Sequence, residues 1–302
     1  MDIRGLGYVI IESTDLAQWE HFATRVLGLM IAPGLPADGN LYLKMDEYPY
    51  RFMIVPSDRD RFRLAGWEVA GPQQFLQALE QLDMAGVSYQ YGSEDEANRR
   101  RVREFVRFTA PGDIACELFY YMKLDYSPLV SPVGVKRFVT GYHGDMGLGH
   151  LALATPDLQA SHRFFTGVMG FGQTDYMHFN FNPAPGDPGQ GLHFLHCNNP
   201  RHHSLALFQD ENPHPGELVH LMVEVEDLDT LGHMMDRVHQ HEVKIVTNFG
   251  RHTNDRMVSI YVESPAGFAM EYGFGGVQID WNNYTPTESA VPSIWGHRWG
   301  QG

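Results

Sequence analysis

The sequence predicts an α+β protein made from one unit used twice: two tandem domains, each built from two βαβββ modules. Three observations carry this. The first is an internal repeat at an offset of 142, in which Gly5-Leu6-Gly7-Tyr8 returns as Gly147-Leu148-Gly149-His150, Asp15-Leu16 as Asp157-Leu158, Phe22 as Phe164, Val26 as Val168 and Gly28 as Gly170. The second lies further along each copy. At an offset of 156, Glu68-Val69 matches Glu224-Val225 and Val87 matches Val243, while at 154 Pro111, Ala115 and Glu117 match Pro265, Ala269 and Glu271. Third, the small changes of offset read as short loop insertions, so each copy holds two half-units of strand, helix and several strands.

Taken in order, each copy opens on an apolar strand, Tyr8 to Glu12 in the first and Leu151 to Ala154 in the second. An Asp then leads into a helix with apolar residues at helical spacing, closed by Gly28 or Gly170. The second helices run from Phe75 to Ala85 and from Leu228 to Gln240. Between the copies, Ser127-Pro128 to Val139 breaks the apolar pattern with Pro and Gly, which places the boundary there. We expect residues 1–135 to form one module pair and 136–302 the second, with a C-terminal tail. The tail beyond Tyr284 has no counterpart in the first copy.

Composition narrows the partners. A formal charge of -15 and a pI near 5.4 repel phosphate backbones and anionic lipid, so neither nucleic acid nor a membrane surface is expected. No run of about 18 apolar residues is present, and Met1-Asp2-Ile3-Arg4-Gly5 lacks the basic and apolar regions of a signal peptide, so the expected location is the cytoplasm. Cys116 and Cys197 both fall in apolar contexts and read as buried, reduced thiols.

Four strings stand in register along the chain: Gly147-Leu148-Gly149-His150, Leu218 to Val225, Gly250-Arg251-His252-Thr253-Asn254-Asp255, and Met270-Glu271-Tyr272-Gly273. With Asn198 to Ser204 and Ser293-Ile294-Trp295-Gly296-His297, they resemble the motifs of type I extradiol ring-cleaving dioxygenases of the vicinal oxygen chelate superfamily. The resemblance implies a glyoxalase-like fold in which modules curl into half-barrels around a cavity. It also implies the metal ligands His150, His220 and Glu271, two imidazoles and a carboxylate on one side of Fe(II), with Mn(II) as the runner-up metal. The first copy has Tyr8, Leu64 and Glu117 at the equivalent positions, so a divalent ion is not expected there.

The resemblance assigns further roles. His203 is the acid/base group that accepts a catechol proton and returns it to oxygen. His202 points to the other face if the segment is a strand. His252 and Tyr261 hydrogen-bond bound substrate or oxygen. Ala152, Phe194, Ala206 and Pro292 surround the distal part of a bulky catechol, and Asn254 and Asp255 line the pocket or support the loop. His162, His178, His233, His239 and His241 read as surface or structural residues of helices and loops. The expected activity is aromatic catabolism: meta cleavage of a 3-substituted catechol such as 2,3-dihydroxybiphenyl or a steroid-derived catechol, inserting both atoms of O2 to give a 2-hydroxy-dienoic acid. Other members of the scaffold are metal-dependent isomerases, lyases and small-molecule-binding proteins, which lack a reason to keep His203, His252 and Tyr261 together. The resemblance also suggests a homo-oligomer, commonly an octamer.

Overall fold

The computed structural model describes residues 1–33, 35, 37–179, 189–214 and 216–299. The first module runs β1 (Ile3–Ser13), α1 (Leu16–His21), β2 (Met30–Ile31), β3 (Leu41–Lys44) and β4 (Phe52–Pro56). The second runs β5 (Arg61–Val69), α2 (Pro72–Met84), β6 (Tyr89–Tyr91), α3 (Glu94–Arg100), β7 (Glu104–Ala110) and β8 (Ile114–Tyr120). In the second copy come β9 (His150–Thr155), α4 (Leu158–Gly167), β10 (Gly172–Phe179), β11 (Gln190–His196) and β12 (Leu205–Gln209). They are followed by β13 (Leu218–Val225), α5 (Leu228–Gln240), β14 (Ile245–His252), β15 (Val258–Glu263) and β16 (Ala269–Phe274), and two tail strands, β17 (Thr287–Ser289) and β18 (Ser293–Gly296), complete the chain.

The strands form two sheets of the same topology, β2-β3-β4-β1-β5-β8-β7-β6 and β10-β11-β12-β9-β13-β16-β15-β14, the second extended by β17 and β18 at its edges. In each, the first strands of paired modules meet antiparallel at the centre, β1 on β5 and β9 on β13. Each module is therefore a βαβββ unit and each pair a continuous curled sheet. Alternation along the central strands sends one set of side chains to the core and the other to the concave face. On β13, Leu221 and Val223 are fully buried in a core cluster shared by both copies, while His220 projects from the opposite face. Truncating a core residue such as Leu221 to Ala costs about 2–5 kcal/mol. The copies also lock through Trp67 against Phe171, 5.0 Å between ring centroids, and through Tyr272 Oη, which donates to the Leu27 carbonyl.

The expected helix caps are present: Asp15 accepts from the Gln18 amide at 2.9 Å and Asp157 from the Ala160 amide at 2.8 Å. Gly28 and Gly170 close their segments at φ of 83° and 76°, conformations that favour glycine. Two features depart from the expected pattern. The first helix continues as a π-helical turn, Phe22–Leu27, where Thr24 Oγ1 donates to the Glu20 carbonyl and loosens the ladder. Module two also carries the extra helix α3, capped by Ser93 and Glu96 as a capping box. His178 lies in β10, a strand, where a helix or loop was expected. Cys116 and Cys197 are free and buried, and no helix among the described residues is long and apolar enough to cross a membrane.

Candidate metal centre and active site

Three adjacent strands, β9, β13 and β16, present His150, His220 and Glu271 on the concave face. The ladder explains why residues so far apart in sequence meet: Met222 is paired with His150 on one side and with Glu271 on the other, and His220 stands two residues before it on the same face. Gly149 sets the approach of β9 to β13, since a Cβ there would run into the Met222 carbonyl oxygen.

The three ligand atoms converge. His150 Nε2 is 2.9 Å from His220 Nε2, and Glu271 Oε2 is 3.1 Å from the first and 3.5 Å from the second. Glu271 Oε2 is buried yet accepts no well-directed hydrogen bond. An orphaned carboxylate oxygen facing two imidazole nitrogens is costly without a cation. Two ligands at right angles, each about 2.1 Å from one ion, stand about 3 Å apart, so these separations suit one face of an octahedral metal. His150, His220 and Glu271 are the one cluster of three or more His, Cys, Asp or Glu with this convergence among the described residues.

Electrostatics agree with that use. Burial pushes His220 down to about 3, which keeps its imidazole neutral and able to ligate. Burial alone would raise Glu271, but hydrogen bonds and the charges of His150 and His252 outweigh it and hold the carboxyl well below its usual range. His203 is buried, and that desolvation together with its histidine neighbours lowers it well below its usual value. Its ring stacks on His150 at 4.0 Å between centroids and meets Phe194 edge-on at 4.9 Å. On the other side of the centre, His252 Nε2 lies 2.8 Å from Tyr261 Oη and 3.2 Å from Glu271 Oε1. Burial would lower His252, but Glu271 outweighs it and pushes it up to about 9. Burial raises Tyr261 well above its usual value, leaving a phenol that can donate.

A cavity of about 180 Å³ opens over the triad, lined by His150, His203, His220, His252, Tyr261 and Glu271 at one end and by Ala152, Phe194, Pro292, Asn254 and Asp255 among the rest. Ala206 is the exception among the expected pocket residues. It is not among the lining residues but sits between two of them, paired with Ala152 on one side and Phe194 on the other, in a small buried cluster with Met177. Sequence reasoning missed Met177, Leu192, Phe208, Val219 and Trp299, which also line the cavity. Trp299 follows the Trp295-Gly296-His297 string and stacks edge-on with Tyr261 at 4.9 Å, so proximity to that string was its one available signal. The condition attached to His202, that its segment be a strand, is not met. Its segment is a bend and not a strand, and His202 Nδ1 lies 3.0 Å from His203 Nδ1.

The first copy carries a different set of residues at the equivalent positions. Tyr8 is paired with Gly66, and Gly66 with Glu117, the same register as His150, Met222 and Glu271, which puts Leu64 in the place of His220. Glu117 is saturated: Arg100 donates to both its oxygens at 2.6 Å, and Tyr8 Oη donates at 2.6 Å. A larger, shallower groove of about 840 Å³ runs over Arg100, Arg107, Glu96 and Glu117, but Arg100 is paired with Glu117 and Arg107 with Glu96, which leaves no convergent ligand set. Four other histidines pair with one another and do not line the cavity, His162 stacked on His193 at 4.0 Å and His21 facing His241 across 3.2 Å.

Comparison with known proteins gives consistent relatives. Residues 6–56 match the family model described as Dihydroxybiphenyl dioxygenase BphC D1, and residues 147–272 match Glyoxalase/Bleomycin resistance protein/Dioxygenase superfamily. The chain is 40% identical over 301 residues to the iron-dependent extradiol dioxygenase of Rhodococcus jostii (strain RHA1), covering 98% of this chain and 97% of that one. It is 34% identical over 299 residues to the biphenyl-2,3-diol 1,2-dioxygenase of Metapseudomonas furukawaii, covering 99% and 94%. Among solved structures, the halotolerant catechol dioxygenase BphC is similar with a TM-score of 0.88 at 32% identity, over 98% of this chain and 95% of that one.

Proposed function

Because the chain belongs to the type I extradiol dioxygenase family of the vicinal oxygen chelate superfamily, we propose that it cleaves a 3-substituted catechol beside the diol, with Fe(II) held by His150, His220 and Glu271. The observation that carries the metal assignment is the convergence of two imidazole nitrogens and an orphaned, buried carboxylate oxygen at the closed end of an apolar cavity. Iron bound there supplies a template for both catechol oxygens and O2 and a route for electron density from ring to oxygen. Mn(II) is the alternative occupant, since the same ligands accept it.

The protein's own groups handle protons and orientation. His203, neutral and buried beside the ligands, accepts a proton from the catechol and later returns it to oxygen. His252 and Tyr261, hydrogen-bonded to each other, donate toward negative charge that develops on the bound oxygens. The apolar wall keeps water from the reacting ring and holds the substituent at carbon 3. We assign this catalytic role to residues 136–302 and a metal-free, supporting role to 1–135, where Arg100 and Tyr8 satisfy Glu117. A homo-oligomer, an octamer by family pattern, is part of the same reading and is checked by light scattering.

The test is metal analysis followed by oxygen uptake. Apoprotein reconstituted with Fe(II) or Mn(II) is given 2,3-dihydroxybiphenyl, and the yellow ring-fission product is followed with O2 consumption. One O2 consumed per catechol, in the Fe(II) form above all, is the expected result. Catechol turnover without O2 consumption, or none with either metal, overturns the reading.

A further inference from the structure

Among the buried carboxylates that the proposed function leaves unused, Asp175 joins the C-terminal tail to His203. Asp175, on β10, is only 3% exposed and divides its two oxygens between different partners. Oδ1 accepts from Tyr284 Oη at 2.9 Å, from the Thr287 amide at 3.0 Å and from Thr287 Oγ1 at 2.6 Å. Oδ2 lies 2.8 Å from His202 Nε2, and His202 Nδ1 lies 3.0 Å from His203 Nδ1. The chain of contacts thus runs from the tail through Asp175 and His202 to the acid/base residue.

Donor and acceptor counting fixes the protons along it. Burial would raise Asp175, but the hydrogen bonds from His202, Thr287 and Tyr284 outweigh it and hold the carboxyl at about 2, so it is ionised and only accepts. His202 Nε2 therefore donates. With His202 as a neutral imidazole, which has one donor and one acceptor, its Nδ1 accepts and His203 Nδ1 donates. That leaves the lone pair of His203 on Nε2, the ring nitrogen not engaged by His202, in a residue that lines the cavity.

We propose that Asp175 and His202 are positioning residues that fix the tautomer of His203 with Nε2 unprotonated, and that Tyr284 and Thr287 of the tail hold Asp175 in the orientation this requires. The inference rests on the acid/base role proposed for His203. It makes a specific prediction for Asp175→Asn. The amide would keep its oxygen toward the three donors of Tyr284 and Thr287 and turn its N–H toward His202 Nε2. The His202 proton would then sit on Nδ1 and donate to His203, whose own proton would move to Nε2. His203 would face the substrate with the wrong nitrogen protonated.

Two readouts test this. In the full-length chain prepared without metal and labelled with 15N-histidine, two-bond 1H–15N correlation spectra report the tautomer of His203, assigned by its loss in His203→Gln. The expected state is Nδ1–H in the wild type and Nε2–H in Asp175→Asn. In the iron-loaded enzyme, Asp175→Asn should lose roughly 10²–10⁴ in kcat, the size expected for an acid/base imidazole held in the wrong tautomer, with KM and iron content within about twofold of wild type. His202→Leu should fall as far, and His202→Asn should recover at least about tenfold of that loss, because its amide oxygen can accept from His203 Nδ1. An Nε2–H tautomer in the wild type, an unchanged kcat in Asp175→Asn, or equal losses in His202→Leu and His202→Asn would overturn the proposal. Failure of the function itself is distinguishable: a wild type that consumes no O2 with any catechol leaves the tautomer result standing.

Discussion

The acid/base role proposed for His203 rests on its neighbours: the His150 ring on one face, the Phe194 edge on another and little solvent around it. Those contacts separate its role from that of the ligands, and two sets of variants should show the separation. His150→Ala, His220→Ala or Glu271→Ala should each lose iron and activity while keeping the fold. Removing Glu271 leaves two neutral nitrogens, and removing either histidine leaves one nitrogen and one carboxylate, too few for a tight site. Tight, stoichiometric iron in any of them by metal analysis would refute the ligand set. His203→Gln should retain iron and bind catechol anaerobically, yet lose roughly 10²–10⁴ in turnover. Single-turnover measurements decide whether binding or chemistry has changed. Much of this was legible in the sequence because the repeat supplies its own control: Tyr8 and Leu64 stand where His150 and His220 stand in the second copy. The Asp175 to His203 chain was not legible. Its members come from β10, a bend and the tail, and no spacing rule joins residues that meet only after the sheet has curled.

At the scale of elements, the site depends on how closely β9 and β13 approach. Gly149 allows that approach, with the Met222 carbonyl where a side chain would begin. Gly149→Ala should push the strand bearing His150 away from its partners and weaken iron binding, whereas Gly232→Ala, with open space around it in α5, should leave iron binding unchanged and slightly stabilise the helix. Iron retention during dialysis compares them. The tail makes a second element-level dependence. Asp175 has its folded value depressed to about 2, so its contribution is complete above the ordinary carboxylate range and disappears as pH falls through that range toward 2. The thermal stability of wild type should therefore exceed that of Asp175→Asn at pH 6, and the difference should shrink between about pH 4 and 2. A difference that grows on acidification would contradict the hydrogen bonding at Asp175. The four βαβββ units could be read from the offsets because each was seen twice. The tail strands β17 and β18 could not, having no copy to align with. Helix α3 did leave a signal in Ser93-Glu94-Asp95-Glu96, a capping box, but apolar periodicity over seven residues is too short to stand out.

Across the whole molecule, one sheet holds the convergent ligand set and the other a buried ion pair at the equivalent positions, so the proposed substrate selection falls to the apolar cavity over the ligands. Its volume of about 180 Å³ exceeds the roughly 150 Å³ that accommodates benzene, and it opens toward the surface past Val219, Pro292 and Trp299. A catechol ring seated at the ligands therefore has apolar wall beyond it for a substituent at carbon 3. If a second ring buries even about 80 Å² there, at about 25 cal/mol per Å² it contributes about 2 kcal/mol, or roughly thirtyfold in specificity. Unsubstituted catechol cannot make that contact. We expect kcat/KM for 2,3-dihydroxybiphenyl or a steroid-derived catechol to exceed that for catechol by at least about tenfold. The position to test is Ala152, which lines the cavity, and not Ala206, which is buried between Ala152 and Phe194 without lining it. Ala152→Leu should narrow the ratio by filling space that the second ring needs, while Ala206→Leu should lower stability through overpacking. Oxygen uptake at saturating O2, with iron content measured on each variant, decides it. A preference for plain catechol, or a ratio that Ala152→Leu leaves unchanged, would mean that the substituent leaves the ligands by a different wall.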